Sequence, residues 1–303
     1  MNTGIFITIL IFMSLVKPLC VGSYNVRSLT GGKNYIYKLL NDYDIDILCI
    51  AEHRLYANEL YKLNSIHSDY DTFGKSSNDL DSCNQHVKPG HCGIALLWRK
   101  CLSGRIRVVE CRSDRICVIE IMKACGMISV FVIGLYLPHQ TCKISDFNEC
   151  IVELSTIITE SSAKGEVIVI GDMNCHFGEE VGNRFWGQTT RNAKCLLNVV
   201  NANDMVIIDG DNNMCSGPKY TYTVHSIGKT YIDHCITSKN IALLTNCMVV
   251  EDALNVSDHL PIVTKIRCNV LVESQQCEPS NARVAWNKLS ESDIKEKIYA
   301  TTR

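Results

Sequence analysis

The chain has 303 residues, enough for one large domain or two small ones. With 46% hydrophobic and 20% charged residues, its composition is that of a soluble globular protein with ample core. A formal net charge of −2 excludes a global basic footprint, so any polyanion partner must be met by a local patch.

Residues 4–16 form an apolar run interrupted only by the hydroxyls of Thr8 and Ser14, with no basic residue ahead of it. It has the length of a signal-peptide core and is short for a bilayer span. Secretory signal, uncleaved anchor and incidental apolar extension all stay open for residues 1–18. Residues 19–26 then predict a strand ending at Asn25, residues 35–41 a short helix, and residues 45–50 a buried strand that delivers Glu52. The polar stretch 69–90, rich in Ser, Asn and Asp, predicts a long loop. Residues 93–98, 105–109, 115–122 and 127–135 predict strands, the last three as an antiparallel set. The last strand is stopped by the proline of Tyr136-Leu137-Pro138-His139.

Residues 147–159 have helical period, with Phe147, Ile151, Leu154 and Ile158 on one face. Val167-Ile168-Val169-Ile170 follows, four β-branched residues without a polar interruption, as in a strand buried on both faces. Gly171 lets the backbone turn, and Asp172 and Asn174, two apart at a strand end, are expected side by side at the rim of a sheet. A glycine-rich loop covers residues 177–188 and a helix residues 192–201. Residues 205–208, 220–224 and 230–237 predict three more strands. Residues 247–250 precede Ser257-Asp258-His259-Leu260-Pro261, and a last strand spans residues 262–266. Beyond residue 268 the composition turns polar, which predicts a linker over 270–283 and a helix of a following module from residue 287. The organisation expected is therefore an extension (1–18), one domain (19–268) and a linker with the start of something else (269–303).

Seventeen cysteines are an odd number at irregular spacing. Most lie in apolar runs, where a thiol behaves as a small hydrophobe. No Cys-x-x-Cys pair is present, so a structural zinc site is not expected, and the pattern favours a reduced protein without a necessary disulfide.

Polar residues now stand at five strand ends: Asn25, Glu52, Tyr136, Asp172 with Asn174, and Asp233 ahead of Asp258 and His259. Carboxylates gathered on one rim repel one another unless a cation neutralises them. Hard oxygen ligands without cysteine suit Mg2+ or Mn2+. In this order and spacing, Ser23-Tyr24-Asn25-Val26-Arg27-Ser28-Leu29, Ala51-Glu52-His53, Gly134-Leu135-Tyr136-Leu137-Pro138, Gly171-Asp172-Met173-Asn174, Tyr231-Ile232-Asp233-His234 and Ser257-Asp258-His259-Leu260-Pro261 resemble one family. It is the endonuclease/exonuclease/phosphatase superfamily, and within it the apurinic-type endonuclease of LINE-like non-LTR retrotransposons.

The resemblance implies a four-layered α/β sandwich, DNase I-like, with two mixed β-sheets flanked by helices. It also implies phosphodiester hydrolysis assisted by a divalent metal, with DNA as the partner; no protein partner is implied. Carried over residue by residue, Glu52 is the main metal ligand with Asn25 beside it, and Asp258 lies in the metal region. Asp172 activates water or protonates the leaving oxygen, and Asn174 donates to a phosphate oxygen. His259 faces the phosphate with Asp233 on its other ring nitrogen, and Tyr136 offers its hydroxyl. Arg27 supplies positive charge near a DNA backbone, and Thr221 sits where the family has a Thr/Phe pair close to DNA, with Thr223 as the second register. His53, His91, His139, His176 and His234 read as solvated or structural histidines.

Two departures stand out. His139 replaces the asparagine usual after Tyr-x-Pro in retrotransposon members. Asn25-Val26-Arg27 lacks the Asn-x-Asp of abasic-site repair enzymes, which speaks against a repair role. Residues 283–294 resemble the segment joining such endonucleases to a reverse transcriptase.

Three functions stay open: a DNA-nicking endonuclease of a retrotransposon or its remnant, a secreted or membrane-anchored phosphodiesterase or phosphatase, and a non-catalytic DNA-binding remnant. The first implies a nuclear location, and the second takes the apolar N-terminus as a true signal.

Overall fold

The computed structural model describes residues 17–77, 92–122, 128–224 and 228–267. All of them belong to one compact unit. The extension up to residue 16 and the predicted linker and following helix lie outside the described residues.

The described strands, in chain order, are β1 (Leu19–Asn25), β2 (Ile47–Ala51), β3 (Tyr70–Lys75), β4 (Ile94–Arg99), β5 (Ile106–Val109), β6 (Ile116–Ile121), β7 (Ser129–Tyr136) and β8 (Gly165–Asp172). They continue as β9 (Met205–Ile207), β10 (Cys215–Ser216), β11 (Tyr222–Val224), β12 (Gly228–Thr230), β13 (Asp233–Ser238), β14 (Thr245–Val249) and β15 (Ile262–Ile266). They build two mixed sheets, one in the order β10-β14-β15-β1-β2-β4-β3 and one in the order β5-β6-β7-β8-β13-β9, with β11 and β12 as a separate hairpin. Helices flank the pair of sheets, and the expected α/β sandwich is what the chain forms.

Helix α1 (Leu29–Asp42) lays Tyr35, Ile36, Leu39 and Leu40 on Leu48, Ile50, Ala95 and Leu97 of the larger sheet. Helix α2 (Ile144–Ser162) buries Phe147, Leu154 and Ile158 as its period predicts, with Cys150 in place of Ile151. Helix α3 (Arg191–Ala202) is started by Thr190, whose hydroxyl accepts the amide of Ala193 at 3.4 Å. The inner faces of the sheets meet closely. A Cβ on Gly134 in β7 would lie 2.9 Å from the Cys49 sulfur of β2. The buried run Val167–Ile170 forms the middle of β8, next to β7 and β13.

Three expectations need correction. The stretch expected to be a loop from residue 69 begins with β3, paired antiparallel to β4 along its whole length. Only Tyr70 of that edge strand is buried, so its sequence lacks the apolar run that marks an inner strand. The single strand expected over residues 230–237 is two, β12 and β13, parted where Ile232 and Asp233 give their amides to a side chain. The first helix begins at Leu29, a turn and a half before residue 35; the weak helix formers Gly31 and Gly32 in its first turns hid that start from the sequence.

The thirteen described cysteines are free thiols, eight of them buried. Reducing agent is therefore expected to leave the melting temperature of the domain unchanged, and a clear drop on reduction would overturn this.

Candidate active site

Strand register assembles the site. β7 and β8 run parallel with Tyr136 opposite Asp172, and β8 and β13 run antiparallel with Asp172 opposite Asp233. Three functional side chains thus stand abreast on adjacent strands. In the other sheet Asn25 pairs with Ala51, and Glu52 follows. Gly171 has φ 155, and a Cβ there would lie 1.9 Å from the Leu135 carbonyl oxygen, so glycine alone lets β8 run against β7 just before Asp172.

The turn after β2 is held in an unusual shape. Glu52 and Arg54 both have left-handed backbone, φ 54 and 59. The Arg54 amide donates to the Cys92 carbonyl at 3.0 Å. His53 is buried between them; its Nδ1 accepts the Leu55 amide, so Nε2–H donates to the Lys75 carbonyl, both at 3.0 Å. Burial lowers its pKa to about 4, which keeps the ring neutral. It is a structural histidine, as expected.

A continuous chain of hydrogen bonds crosses from one sheet to the other. Glu52 Oε2 accepts from Arg54 Nη2 at 2.7 Å, and Oε1 from Asn25 Nδ2 at 3.0 Å and from the Tyr136 hydroxyl at 3.2 Å. The same Asn25 amide group donates to Asp172 Oδ2 at 2.9 Å, and Asn25 Oδ1 accepts the Arg27 amide at 3.1 Å. His259 Nε2 lies 3.9 Å from Asp172 Oδ2, and His259 Nδ1 donates to Asp233 Oδ2 at 2.9 Å. Arg27 pairs with Asp258 at 3.0 Å.

Asn174 lies past the strand end at φ 47, so strand alternation is not what aligns it with Asp172. Its amide N–H closes a turn onto Asp172 Oδ1 at 3.1 Å, and its Nδ2 donates to the Leu137 carbonyl at 2.9 Å. Both residues line one cavity of about 310 Å3, together with Glu52, His259, Arg27 and Arg54.

The site balances its own charges. Burial works to raise the Glu52 carboxyl, but hydrogen bonds from Asn25 and Arg54 and the Arg54 charge outweigh it and leave the pKa below its usual value. Burial and then the Asp233 charge raise Asp172 to about 7, against the pull of His259 and its hydrogen bonds. Burial would lower His259, yet the Asp233 and Asp172 charges prevail and push it up to about 9. Burial, then the charges of Glu52 and Asp172, hold the Tyr136 hydroxyl well above its ordinary range, so it serves as a donor. The repulsion expected among bare carboxylates is thus eased internally: Arg54 faces Glu52, Arg27 faces Asp258, His259 faces Asp233, and Asp172 accepts from Asn25 and the Asn174 amide.

Thr221 is a correction. It is fully buried, and its hydroxyl accepts the amides of Ile232 and Asp233, each at 3.0 Å. Its own amide and carbonyl bind Thr230 and Leu260. It is a clamp on the Asp233 strand and the His259 loop rather than a DNA-facing group. Thr221→Val is expected to orphan two amides and cost about 1–3 kcal/mol in urea melts. Thr221→Ser should stay near wild type, and equal losses in both would refute the clamp.

The remaining histidines divide. His234 is buried between Asp209 and the Cys175 carbonyl, both at 2.7 Å. His176 is held by the Trp186 carbonyl and Thr230 but also lines the cavity, as does exposed His139; His91 lies outside the described residues.

Sequence reasoning missed Arg54, whose only signal is its place two residues after Glu52. It also missed Asn255, which accepts the Tyr24 hydroxyl and donates to the His259 carbonyl, both at 2.7 Å. Tyr222, its ring tilted at 46° against the His259 ring with centroids 4.6 Å apart, was visible only as a neighbour of Thr221.

A divalent cation fits this donor set. Asp172, Asp233 and His259 bring ligand atoms within 4.8 Å of one another, and Glu52 is linked to Asp172 through the Asn25 amide group that donates to both. Among these groups there are hard oxygens and one imidazole and no thiolate, which suits Mg2+ or Mn2+. Asn25, assigned to the metal from sequence, turns its nitrogen toward the carboxylates and its oxygen toward Arg27.

Comparison with known proteins agrees with this picture. Residues 130–263 match the family described as endonuclease-reverse transcriptase. The AP endonuclease of Leishmania major superposes with a TM-score of 0.63 at 14% identity, over 83% of this chain and 88% of that one. A 3′ phosphatase from Neisseria bound to product DNA hairpin gives 0.61 at 15% identity, over 82% and 99%. The endonuclease domain of a telomere-specific non-LTR retrotransposon gives 0.61 at 14% identity, over 83% and 99%. No curated protein matches the sequence. The resemblance to the endonuclease/exonuclease/phosphatase superfamily is carried by the family match, and the fold is shared with these solved structures.

Proposed function

We propose that this chain is a divalent-metal-dependent phosphodiesterase acting on DNA, a nicking endonuclease of a non-LTR retrotransposon or a remnant of one. One observation carries the reading: Asp172 and the Asp233-held His259 converge from neighbouring segments on a cavity that Glu52 also lines. A carboxylate poised near neutrality beside an imidazolium is the pair that in-line hydrolysis of a phosphodiester needs.

Each residue has a task. Glu52 would hold the cation, with Asn25 and Asp172 next to it. The cation would polarise a phosphate oxygen as a Lewis acid. Asp172, with a pKa of about 7, accepts the proton of the attacking water. His259 offers Nε2–H to the phosphate as charge builds there, while Asp233 fixes the ring through Nδ1. Tyr136 keeps its proton and donates from the same side. Arg27 and Arg54 stand in the cavity wall as partners for a phosphate backbone.

Supercoiled plasmid incubated with the protein and Mg2+ is expected to become open-circular, and excess chelator should abolish this. Release of phosphate from a 3′-phosphorylated oligonucleotide without nicking would replace the endonuclease reading by a phosphatase one. Neither activity, with DNA still bound, would make the chain a binding remnant. The boundaries 19–268 belong to the same proposal.

A further inference from the structure

Glu52 has no lone carboxylate oxygen to offer. Oε1 takes two hydrogen bonds, from Asn25 and Tyr136, and Oε2 takes the Arg54 guanidinium at 2.7 Å. Oε2, with a single partner, is the oxygen a cation reaches most readily, and a cation that binds there competes with the Arg54 guanidinium for its charge. Asn25 is fully buried and also tied to Asp172 and to the Arg27 amide, so its side chain is fixed at three points. Tyr136 is the terminal residue of β7, its ring covered by the Arg115 guanidinium at 5.2 Å. Arg54 differs from both. Its side chain is 37% exposed against 19% for Glu52, and its only described side-chain bond is the one to Glu52. Its backbone is pinned by the bond to Cys92, so the guanidinium can swing out while the loop stays in place.

We propose that Arg54 is the resident counter-ion of Glu52 and yields that place to the divalent cation, so that it sets the metal affinity of the site. This rests on the reading of Glu52 as a metal ligand. The physical basis is a competition: a monovalent guanidinium holds the carboxylate in the absence of metal, and the cation must outbid it. The pair keeps a half-buried carboxylate compensated before metal arrives, and every cation that enters pays the cost of parting it.

The test is Mn2+ binding to the full chain without DNA, followed by the electron paramagnetic resonance signal of free Mn2+. Arg54→Gln is expected to bind Mn2+ about fivefold more tightly than wild type, the scale of a partly exposed ion pair. Unchanged or weaker binding overturns the inference. Arg27→Gln removes an equal charge from the same cavity but leaves the Glu52 pair intact. An equal gain in that variant would reduce the effect to bulk charge and also overturn it. Should Arg54→Gln fail to fold, Arg54→Lys takes its place, with about twofold tighter binding expected from the loss of the planar fork. Glu52→Gln separates the two levels. If it binds Mn2+ as wild type does, the assignment of Glu52 as ligand falls and this inference with it. If it loses Mn2+ while Arg54→Gln is unchanged, only the inference falls.

Discussion

Asp233→Asn is expected to slow plasmid nicking by on the order of 10²-fold or more, with DNA affinity little changed. The amide keeps the size of the carboxylate but removes the charge that raises His259 to about 9 and can turn a donor toward Nδ1. The ring would then be neutral at pH 7, and its Nε2 could lose the proton it offers to the phosphate. His259→Ala should be at least as severe. The double variant should be little worse than the worse single one, because the two residues act through one proton. Losses that multiply independently would show the pair to be uncoupled. The pH dependence has a definite sign. The folded pKa of His259 lies above its ordinary 6.5, so the stability contributed by the charged pair is full below about 6.5 and is lost as pH rises through about 9. Urea midpoints of wild type and Asp233→Asn should therefore converge over that window; a gap that widens with pH would contradict the assignment.

The second large effect concerns the two carboxylates that face each other across Asn25. Glu52→Ala and Asp172→Ala are each expected to abolish Mg2+-dependent nicking while circular dichroism shows the fold intact. Glu52 is the more exposed of the two, and Asp172 is the one whose pKa of about 7 suits proton transfer at neutral pH. The conservative variants divide the roles. Glu52→Gln should be partly rescued by raising Mn2+, since it weakens a ligand. Asp172→Asn should not respond to metal, since it removes a proton acceptor. Full activity in both alanine variants would sink the site.

Much of this was legible in the sequence because each functional residue follows an apolar run. Val167–Ile170 announces β8, and the position of Asp172 at its end follows from that alone. Glu52 and Asn25 are placed the same way by β2 and β1. The register that sets Tyr136, Asp172 and Asp233 abreast was not legible. It depends on which strands pair and on their stagger, and the period-two pattern of each strand is silent on both. Thr221 was misread for a related reason: its burial is decided by the amides of Ile232 and Asp233, which lie distant in sequence. The place of Arg54 two residues after Glu52 was too weak a signal, because the pair forms across one loop residue with left-handed backbone at Glu52 and Arg54 themselves. The edge strand β3 was hidden by its own polarity.

The left-handed residues carry a last consequence. Arg27, Glu52, Arg54 and Asn174, all with positive φ, line the one cavity. For a residue bearing a Cβ this backbone costs roughly 1–2 kcal/mol each. At these four positions the best residue for the melting temperature and the best residue for chemistry are different ones. Glycine would relax the chain at any of them and delete a side chain the cavity uses. Selection for robustness alone favours glycine there, and selection for the proposed activity opposes it. At these four positions backbone ease and the proposed chemistry favour different residues, so a gain in one is a loss in the other.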